Sequence, residues 1–394
     1  MSQRLISLSP DLKKLRDEGY AVEIKSSHLL VRDVPYVDAA KQVKRGVLVS
    51  TLMMANDKTQ PPDTHALFFD GDHPCNVDGT EIVKIKHSSE SKQLAPGVPV
   101  QHMFSARPVN ATGTYKDYYE KMTTYVDILS GPARALDPTV TAQTYRFIPS
   151  DEPDDVFNYI DTASSRAGIG MVTPKLERGK IAIVGLGGTG SYVLDLIAKT
   201  PVKEIHLFDG DRFFQHNAFR APGAATPEGL EGAPFKVDYF TSQYSPLRKG
   251  IIPHAYYVTS SNVGELHGME FAFLCVAVGN NKKVIVESLV TVGIPFIDVG
   301  MGLNLVDASL TGILRITTAT KDQHDHLAAR VPFAEADAND DYDTNIQIAD
   351  LNALNASLAV IKWKKLCEFY LDLEKEHHTT YTIDGNILTN EVCS

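Results

Sequence analysis

Four glycines between an apolar segment and a helix-like segment constrain this chain more than any other feature. They form the run Gly185-Leu-Gly187-Gly188-Thr-Gly190. Residues 180–184 before it are mostly apolar without alternation, which is typical of a strand buried on both faces of a sheet. Glycines lack Cβ atoms, so the backbone can approach a phosphate at the amino end of the following helix. The order predicts a strand, a phosphate-binding turn and a helix.

The pattern of the whole chain predicts two domains. Residues 1–150 contain short β-prone runs separated by polar or Gly/Pro stretches, which predicts a β-rich α+β domain. Strands then alternate with helices in residues 151–394, which predicts a mostly parallel α/β sheet. Pro and Asp residues near position 150 mark the boundary. Within the second domain we expect a crossover loop at about 318–344 and a C-terminal helix over 345–373.

Composition excludes several classes of function. The 394 residues carry a formal net charge of −11, whereas nucleic acids and anionic membranes attract a basic surface. The most apolar run, residues 271–278, is far shorter than the roughly 18 residues that cross a bilayer. Four cysteines without a C-x-x-C pair favour neither a disulfide framework nor a four-cysteine zinc site. We therefore expect a cytoplasmic protein that binds neither nucleic acid nor membrane.

Polar residues after the glycine run indicate which nucleotide is bound. Asp209 ends the next β-prone segment, where a carboxylate can accept hydrogen bonds from ribose hydroxyls of either NAD or ATP. Asn217 and Arg220 would lie about one turn apart if their segment is helical, and Lys236 supplies a second cation. Adenylation builds negative charge on the α-phosphate and the departing pyrophosphate, and cations stabilise that charge. The two cations therefore favour ATP.

The combined motifs G-x-G-G-x-G, D-x-D, N-x-x-R and a later lysine resemble the ThiF/MoeB family of ubiquitin-activating-type adenylyltransferases. The chain is similar to bacterial members from ubiquitin-like conjugation operons, which carry an extra N-terminal domain. The resemblance implies a Rossmann-like adenylation domain that uses ATP and Mg²⁺. It implies that the nucleotide is bound by Gly185, Gly187, Gly188, Gly190, Asp209, Asp211, Asn217, Arg220 and Lys236.

The resemblance also implies partners. Arg220 and Lys236 would be catalytic, and Arg166 resembles an arginine that such proteins lend to the neighbouring active site of a homodimer. The substrate would be the C-terminal tail of a ubiquitin-like protein, and a ubiquitin-conjugating-like protein would be a further partner. One departure concerns the metal, because Ala277 stands where the family usually has an Asp that holds Mg²⁺. Asp298 or Asp211 would have to substitute for it.

Transfer of the activated acyl group needs a nucleophile. The span 315–344 contains no cysteine, so we expect an oxyester on a threonine such as Thr318, unless that residue only ends a strand. Cys75 follows His73 in a turn that resembles one near the active site of ubiquitin-conjugating enzymes, and His73 would tune its thiolate. The alternative for Cys75 is a small buried residue in a turn.

The sequence therefore predicts ATP-dependent adenylation of the C-terminal carboxylate of a ubiquitin-like protein, followed by transfer to a nucleophile. Two alternatives remain. A nucleotide-binding scaffold would recruit the ubiquitin-like protein without chemistry, as the alanine at position 277 suggests. An NAD-dependent oxidoreductase would leave Asn217, Arg220 and Lys236 without a purpose.

Overall fold

The computed structural model describes residues 2–150, 155–333 and 346–391. Residues 334–344 of the predicted crossover loop therefore lie outside the described part. The chain divides into two compact units. The N-terminal unit comprises Met1–Pro153 and Tyr159–Gly168, and the C-terminal unit comprises Asp154–Asn158 and Ile169–Ser394.

The N-terminal unit is built on a six-stranded antiparallel sheet with strand order β1-β2-β3-β6-β8-β7. Its strands are β1 (Ala21–Lys25), β2 (His28–Val37), β3 (Val43–Thr51), β4 (Met54–Ala55), β5 (Lys58–Thr59), β6 (Ala66–Asp70), β7 (Lys86–Ala95) and β8 (Val98–Ser105). Strands β4 and β5 pair only with each other among the described strands. Its helices are α1 (Ser2–Leu8), α2 (Pro10–Asp17), α3 (Tyr118–Leu136) and α4 (Thr162–Arg166), with a 3-10 turn at Val83–Ile85. This confirms the predicted β-rich character.

Helix α3 covers one face of this sheet. The Asp117 side chain accepts a hydrogen bond from the Glu120 N–H at 2.8 Å and caps the helix. Tyr118, Met122 and Tyr125 follow at helical spacing, are fully buried and share one core with apolar side chains of the sheet.

A buried cation lies within this core. Lys121 on α3 is 0% exposed, and its Nζ donates to Ser50 Oγ at 2.8 Å and to the Thr64 carbonyl oxygen at 2.9 Å. Burial lowers the pKa of Lys121 to about 8, because the charged form loses its hydration and Asp63 only partly compensates.

The C-terminal unit contains an eight-stranded sheet with strand order β11-β10-β9-β12-β13-β14-β15-β16. The pairings from β11 to β13 are parallel and those from β13 to β16 are antiparallel. The strands are β9 (Lys180–Val184), β10 (Glu204–Phe208), β11 (Ile251–His254), β12 (Phe271–Leu274), β13 (Phe296–Val306), β14 (Ser309–Ala319), β15 (His378–Thr382) and β16 (Ile387–Glu391). The helices are α5 (Gly188–Ala198), α6 (Gln215–Ala218), α7 (Pro227–Glu231), α8 (Lys236–Tyr244), α9 (Asn280–Val292), α10 (Leu327–Arg330) and α11 (Ala349–Leu366), with 3-10 turns at Thr173–Leu176 and Val263–Gly268.

Both faces of this sheet are covered by helices. Ile181 and Ile183 of β9 belong to one core cluster, which includes side chains of α5, α8 and α11. The intervening Ala182 and Val184 belong to a second cluster, which includes side chains of α9. Burial on both faces explains the unbroken apolar run of β9, and the predicted α/β fold is confirmed.

Helix α11 is shorter than the predicted 345–373. The chain leaves the helix after Leu366, and Glu368 adopts a left-handed backbone conformation with φ +58°. This turn brings Asp372 back to the helix, where its carboxylate accepts a hydrogen bond from Lys362 Nζ at 3.0 Å. An ion pair across the helix end therefore replaces the predicted last turns. Among the described helices, none is long and apolar enough to cross a lipid bilayer.

The buried Lys121 makes stability depend on pH. Its pKa is about 8 in the fold and its ordinary value is 10.5, so the stability that goes with the neutral form is present above 10.5 and is lost as pH falls through 8. We expect the wild type to gain on the order of 2 kcal/mol between about pH 7.5 and about pH 9.5, relative to Lys121→Met.

Urea unfolding followed by circular dichroism measures this difference. Trp363, the only tryptophan of the chain, lies in the other unit, so its fluorescence is the internal control. Equal pH dependence in wild type and Lys121→Met would contradict the lowered pKa.

Candidate functional site

The glycine run forms a tight turn between β9 and α5. Gly185 has φ +91°, and a Cβ atom there would lie 2.6 Å from the Cys275 carbonyl oxygen. A Cβ atom on Gly190 would overlap the Gly185 carbonyl oxygen. Gly187 caps the helix at its amino end and Gly188 begins it. The turn therefore tolerates no side chain at positions 185 and 190, and the first amides of α5 lie at the carboxyl edge of the sheet.

Asp209, at the end of β10, connects this turn to the next segment. Its two carboxylate oxygens accept hydrogen bonds from the Leu186 N–H at 2.6 Å and from the Asp211 N–H at 2.8 Å. Burial raises the pKa of the Asp209 carboxyl, although Lys236 and the two amides act in the opposite direction. The structure thus places Asp209 directly beside the glycine turn.

Lys236 begins α8 and is only 5% exposed. Its Nζ lies 2.6 Å from Asp211 Oδ2 and 3.8 Å from Asp209 Oδ2. Tyr257 also donates a hydrogen bond to Asp211. Burial alone would raise the pKa of Asp211, but hydrogen bonds from Lys236 and Tyr257 outweigh it, so the pKa is lowered. Lys236 is therefore fixed beside two carboxylates, and sequence reasoning missed Tyr257.

Asn217 and Arg220 lie one turn apart, because the Arg220 N–H donates to the Asn217 carbonyl oxygen at 3.1 Å. Asn217, on α6, is 4% exposed, and its Oδ1 accepts a hydrogen bond from the Phe214 N–H at 2.8 Å. The Nε of Arg220 is buried and has no hydrogen-bond partner within the described ranges. Burial lowers the pKa of its guanidinium, and Asp211 opposes this shift.

The positive charges of Arg220 and Lys236 affect the pKa of the neighbouring His216. Burial lowers the pKa of His216, and Arg220 and Lys236 lower it further. The buried ammonium of Lys236 is balanced by Asp209 and Asp211, whereas the half-buried guanidinium of Arg220 keeps an unsatisfied Nε. Such an arrangement suits a phosphate-bearing ligand.

Two amide side chains near the start of α11 also reach the glycine turn, and the sequence analysis gave them no role. Gln347 Oε1 accepts a hydrogen bond from the Gly188 N–H at 3.2 Å. Asn352 accepts one from Thr189 Oγ1 at 3.1 Å and donates to the Arg220 carbonyl oxygen at 3.3 Å. An amide side chain on the buried face of a helix, such as Asn352, signals a structural hydrogen bond. The sequence does not indicate which residue is its hydrogen-bond partner.

Asp298, the candidate metal ligand, lies inside the protein. It is 0% exposed, and its two oxygens lie 2.6 Å from Lys282 Nζ and 2.6 Å from an Arg315 guanidinium nitrogen. Two cations already compensate this carboxylate, which argues against a role for it in binding Mg²⁺. Ala277 is exposed after β12 and offers no ligand.

The described residues do not fit a protein-held magnesium ion. They contain no group of three or more His, Cys, Asp and Glu side chains placed to bind a metal. The alternative ligand Asp211 is engaged by Lys236 and Tyr257. Magnesium prefers oxygen ligands that are free to coordinate it, and neither Asp298 nor Asp211 offers them in this arrangement.

The two candidate acyl acceptors are both buried, which argues against each. Thr318 is 1% exposed in β14. Its carbonyl oxygen lies 3.0 Å from His326 Nε2, and its N–H donates to the His377 carbonyl oxygen at 2.7 Å. Cys75 is 1% exposed, and its thiol donates to the His73 carbonyl oxygen at 3.3 Å. Burial, followed by nearby carboxylates, raises the pKa of the Cys75 thiol, the reverse of a tuned thiolate.

Arg166 belongs to the N-terminal unit, at the end of α4. Its guanidinium lies 5.3 Å from the centre of the Tyr145 ring, within the range of a cation–π contact. A role for Arg166 in a neighbouring active site stays a prediction.

Comparison with protein families gives two matches. Residues 10–162 match the model of a domain of unknown function, DUF6791. Residues 162–226 match the model of the ThiF family, and this segment includes the glycine turn, Asp209 and Arg220. No curated protein matches the chain.

Several solved structures are similar to this chain. MccB from E. coli with ATP has a TM-score of 0.45 at 16% identity, covering 58% of this chain and 69% of that one. MccB from E. coli with AMPCPP and MccA has a TM-score of 0.42 at 15% identity, covering 71% and 85%. PaaA has a TM-score of 0.41 at 15% identity, covering 56% and 75%.

The family match confirms the resemblance derived from the glycine, Asp and Arg motifs. The sheet with its parallel half and both faces covered is the fold that this resemblance implies. The chain thus carries a ThiF-family segment at the start of its α/β unit, and an additional N-terminal domain precedes this segment in the sequence.

Proposed function

We propose that the C-terminal unit binds ATP and transfers AMP to the C-terminal carboxylate of a ubiquitin-like protein. One observation carries the proposal: the buried, unsatisfied Nε of Arg220 lies in a segment that is hydrogen-bonded, through Asn352, to the glycine turn. A buried cationic donor without a partner is costly, and a phosphate oxygen satisfies it. The ThiF-family match over residues 162–226 supports the same assignment.

The adenylation step follows from this placement of charges. A carboxylate oxygen of the bound tail attacks the α-phosphorus of ATP and forms a new O–P bond. The bond from the α-phosphorus to the bridging oxygen breaks, and pyrophosphate leaves with the electron pair. Arg220 and Lys236 stabilise the charge that develops on the phosphates, while the α5 amides hold them in place. The Asp209 carboxylate accepts hydrogen bonds from the ribose hydroxyls.

The described residues leave magnesium without a protein ligand, so any Mg²⁺ arrives bound to the triphosphate.

The transfer step requires a nucleophile other than Thr318 and Cys75. Thr318 and Cys75 are each 1% exposed, and a protein tail cannot reach a side chain that is closed off in this way. We propose that a partner, such as a ubiquitin-conjugating-like protein, accepts the acyl group. A homodimer in which Arg166 reaches the neighbouring site remains part of the proposal.

A second candidate is a scaffold that binds nucleotide without chemistry. The observation that favours it is the fully compensated Asp298, together with the alanine at position 277. ATP–pyrophosphate exchange in the presence of the ubiquitin-like partner separates the two, since only an enzyme returns label from pyrophosphate to ATP.

The first test removes the cations. We expect Lys236→Met and Arg220→Met each to lower ATP–pyrophosphate exchange by about 10²-fold or more, because each stabilises charge on the phosphates. Lys199→Met is the matched control, because Lys199 is an exposed lysine of the same unit that pairs with Asp195. Trp363 fluorescence verifies folding. Exchange at the wild-type rate in both variants would refute the proposed roles.

The second test concerns the Gly188 amide, which Gln347 occupies in this structure. Gln347→Glu places a carboxylate on that amide, where it competes with the triphosphate, so we expect ATP affinity to fall roughly tenfold. Gln347→Ala only removes the competing oxygen, and we expect no loss. Calorimetry with ATP measures both. Equal affinity of Gln347→Glu and wild type would mean that no phosphate reaches this amide.

A further inference from the structure

Helix α11 has one buried side chain that reaches both halves of the proposed nucleotide site. We infer that Asn352 is a positioning residue, which fixes the Arg220 segment relative to the glycine turn; the inference rests on the proposed function. Its Oδ1 accepts from Thr189 Oγ1 at 3.1 Å, and its Nδ2 donates to the Arg220 carbonyl oxygen at 3.3 Å.

Burial makes these two hydrogen bonds obligatory. Asn352 is 0% exposed, so neither its oxygen nor its nitrogen has water as an alternative partner. A buried amide that loses a partner carries the full cost of its desolvation. The side chain therefore holds Thr189 and Arg220 at a fixed separation, even though Thr189 lies in the first turn of α5 and Arg220 lies just after α6.

Gly188 provides the space for this contact. A Cβ atom on residue 188 would overlap the Asn352 amide. The glycine is thus required on the protein side of the turn as well as for the approach of a ligand. Any side chain at this position would displace Asn352 from Thr189.

The contact with Asn352 fixes the backbone of Arg220. Its backbone is held on both sides, since its N–H donates to the Asn217 carbonyl oxygen at 3.1 Å and its own carbonyl accepts from Asn352. Its Nε stays buried and without a hydrogen-bond partner within the described ranges. A fixed backbone with an unsatisfied guanidinium nitrogen is preorganised for an anion, which lowers the entropy lost on binding.

The same helix offers a matched control. Asn355, one turn later, is also 0% exposed, and its Nδ2 donates to the Gly300 carbonyl oxygen of β13 at 3.1 Å. Loss of Asn355 therefore removes a buried amide from α11 without touching Thr189 or Arg220. Any effect specific to Asn352 comes from its contacts with the nucleotide site, not from damage to the helix.

The experiment is a double-mutant cycle read by calorimetry with ATP. We expect Asn352→Ala to raise the dissociation constant about tenfold in the wild-type background, and less than about threefold in Arg220→Ala. In the ligand-free protein, amide exchange of residues 217–221 should become faster in Asn352→Ala and stay unchanged in Asn355→Ala.

Thr189→Ala removes one of the two hydrogen bonds and is the milder variant, should Asn352→Ala fail to fold as judged by Trp363 fluorescence. We expect it to raise the dissociation constant about threefold. Equal effects of Asn352→Ala in both backgrounds, unchanged exchange at 217–221, or wild-type affinity in Thr189→Ala would each overturn the inference. A wild-type chain that binds no ATP would already refute the proposed function, before any variant is compared.

Discussion

The site depends on a close contact between backbone atoms in the glycine turn. Gly190, in the first turn of α5, rests against the carbonyl oxygen of Gly185, at a distance that no Cβ atom permits. This contact folds the end of β9 directly into the helix, so that the Leu186 N–H donates to Asp209 and the Gly188 N–H donates to Gln347. The positions of these two amides depend on it.

Charge is distributed unevenly around this turn. Lys236 is balanced by Asp209 and Asp211, whereas Arg220 keeps a buried nitrogen without a partner in the described chain. In the separate group around Asp298, two cations pair with the one carboxylate, so that carboxylate is fully compensated. The unbalanced donor at Arg220, and not a free carboxylate, is therefore the feature that a ligand would satisfy, which favours an anionic group over a metal ion.

Much of the fold was predictable because each element is encoded locally. The apolar run of β9, the helical spacing of α5 and the short β-prone runs before residue 150 all depend on neighbours within a few positions. Burial of a particular polar residue is not local. Thr318 and Cys75 carry the right atoms for a nucleophile, but their strand and turn lie inside the protein, where both side chains are 1% exposed.

Local sequence patterns are sufficient to predict the strand–turn–helix unit, the alternation of strands and helices, and the order of Asp209, Arg220 and Lys236 along the chain. The distant residues that complete the site can be identified only from the packed fold. Asn352 lies 163 positions from Thr189 and 132 from Arg220, yet it bonds to both. Local patterns report the conformational preferences of neighbouring residues, whereas such contacts arise when packing of the apolar core brings separate segments together.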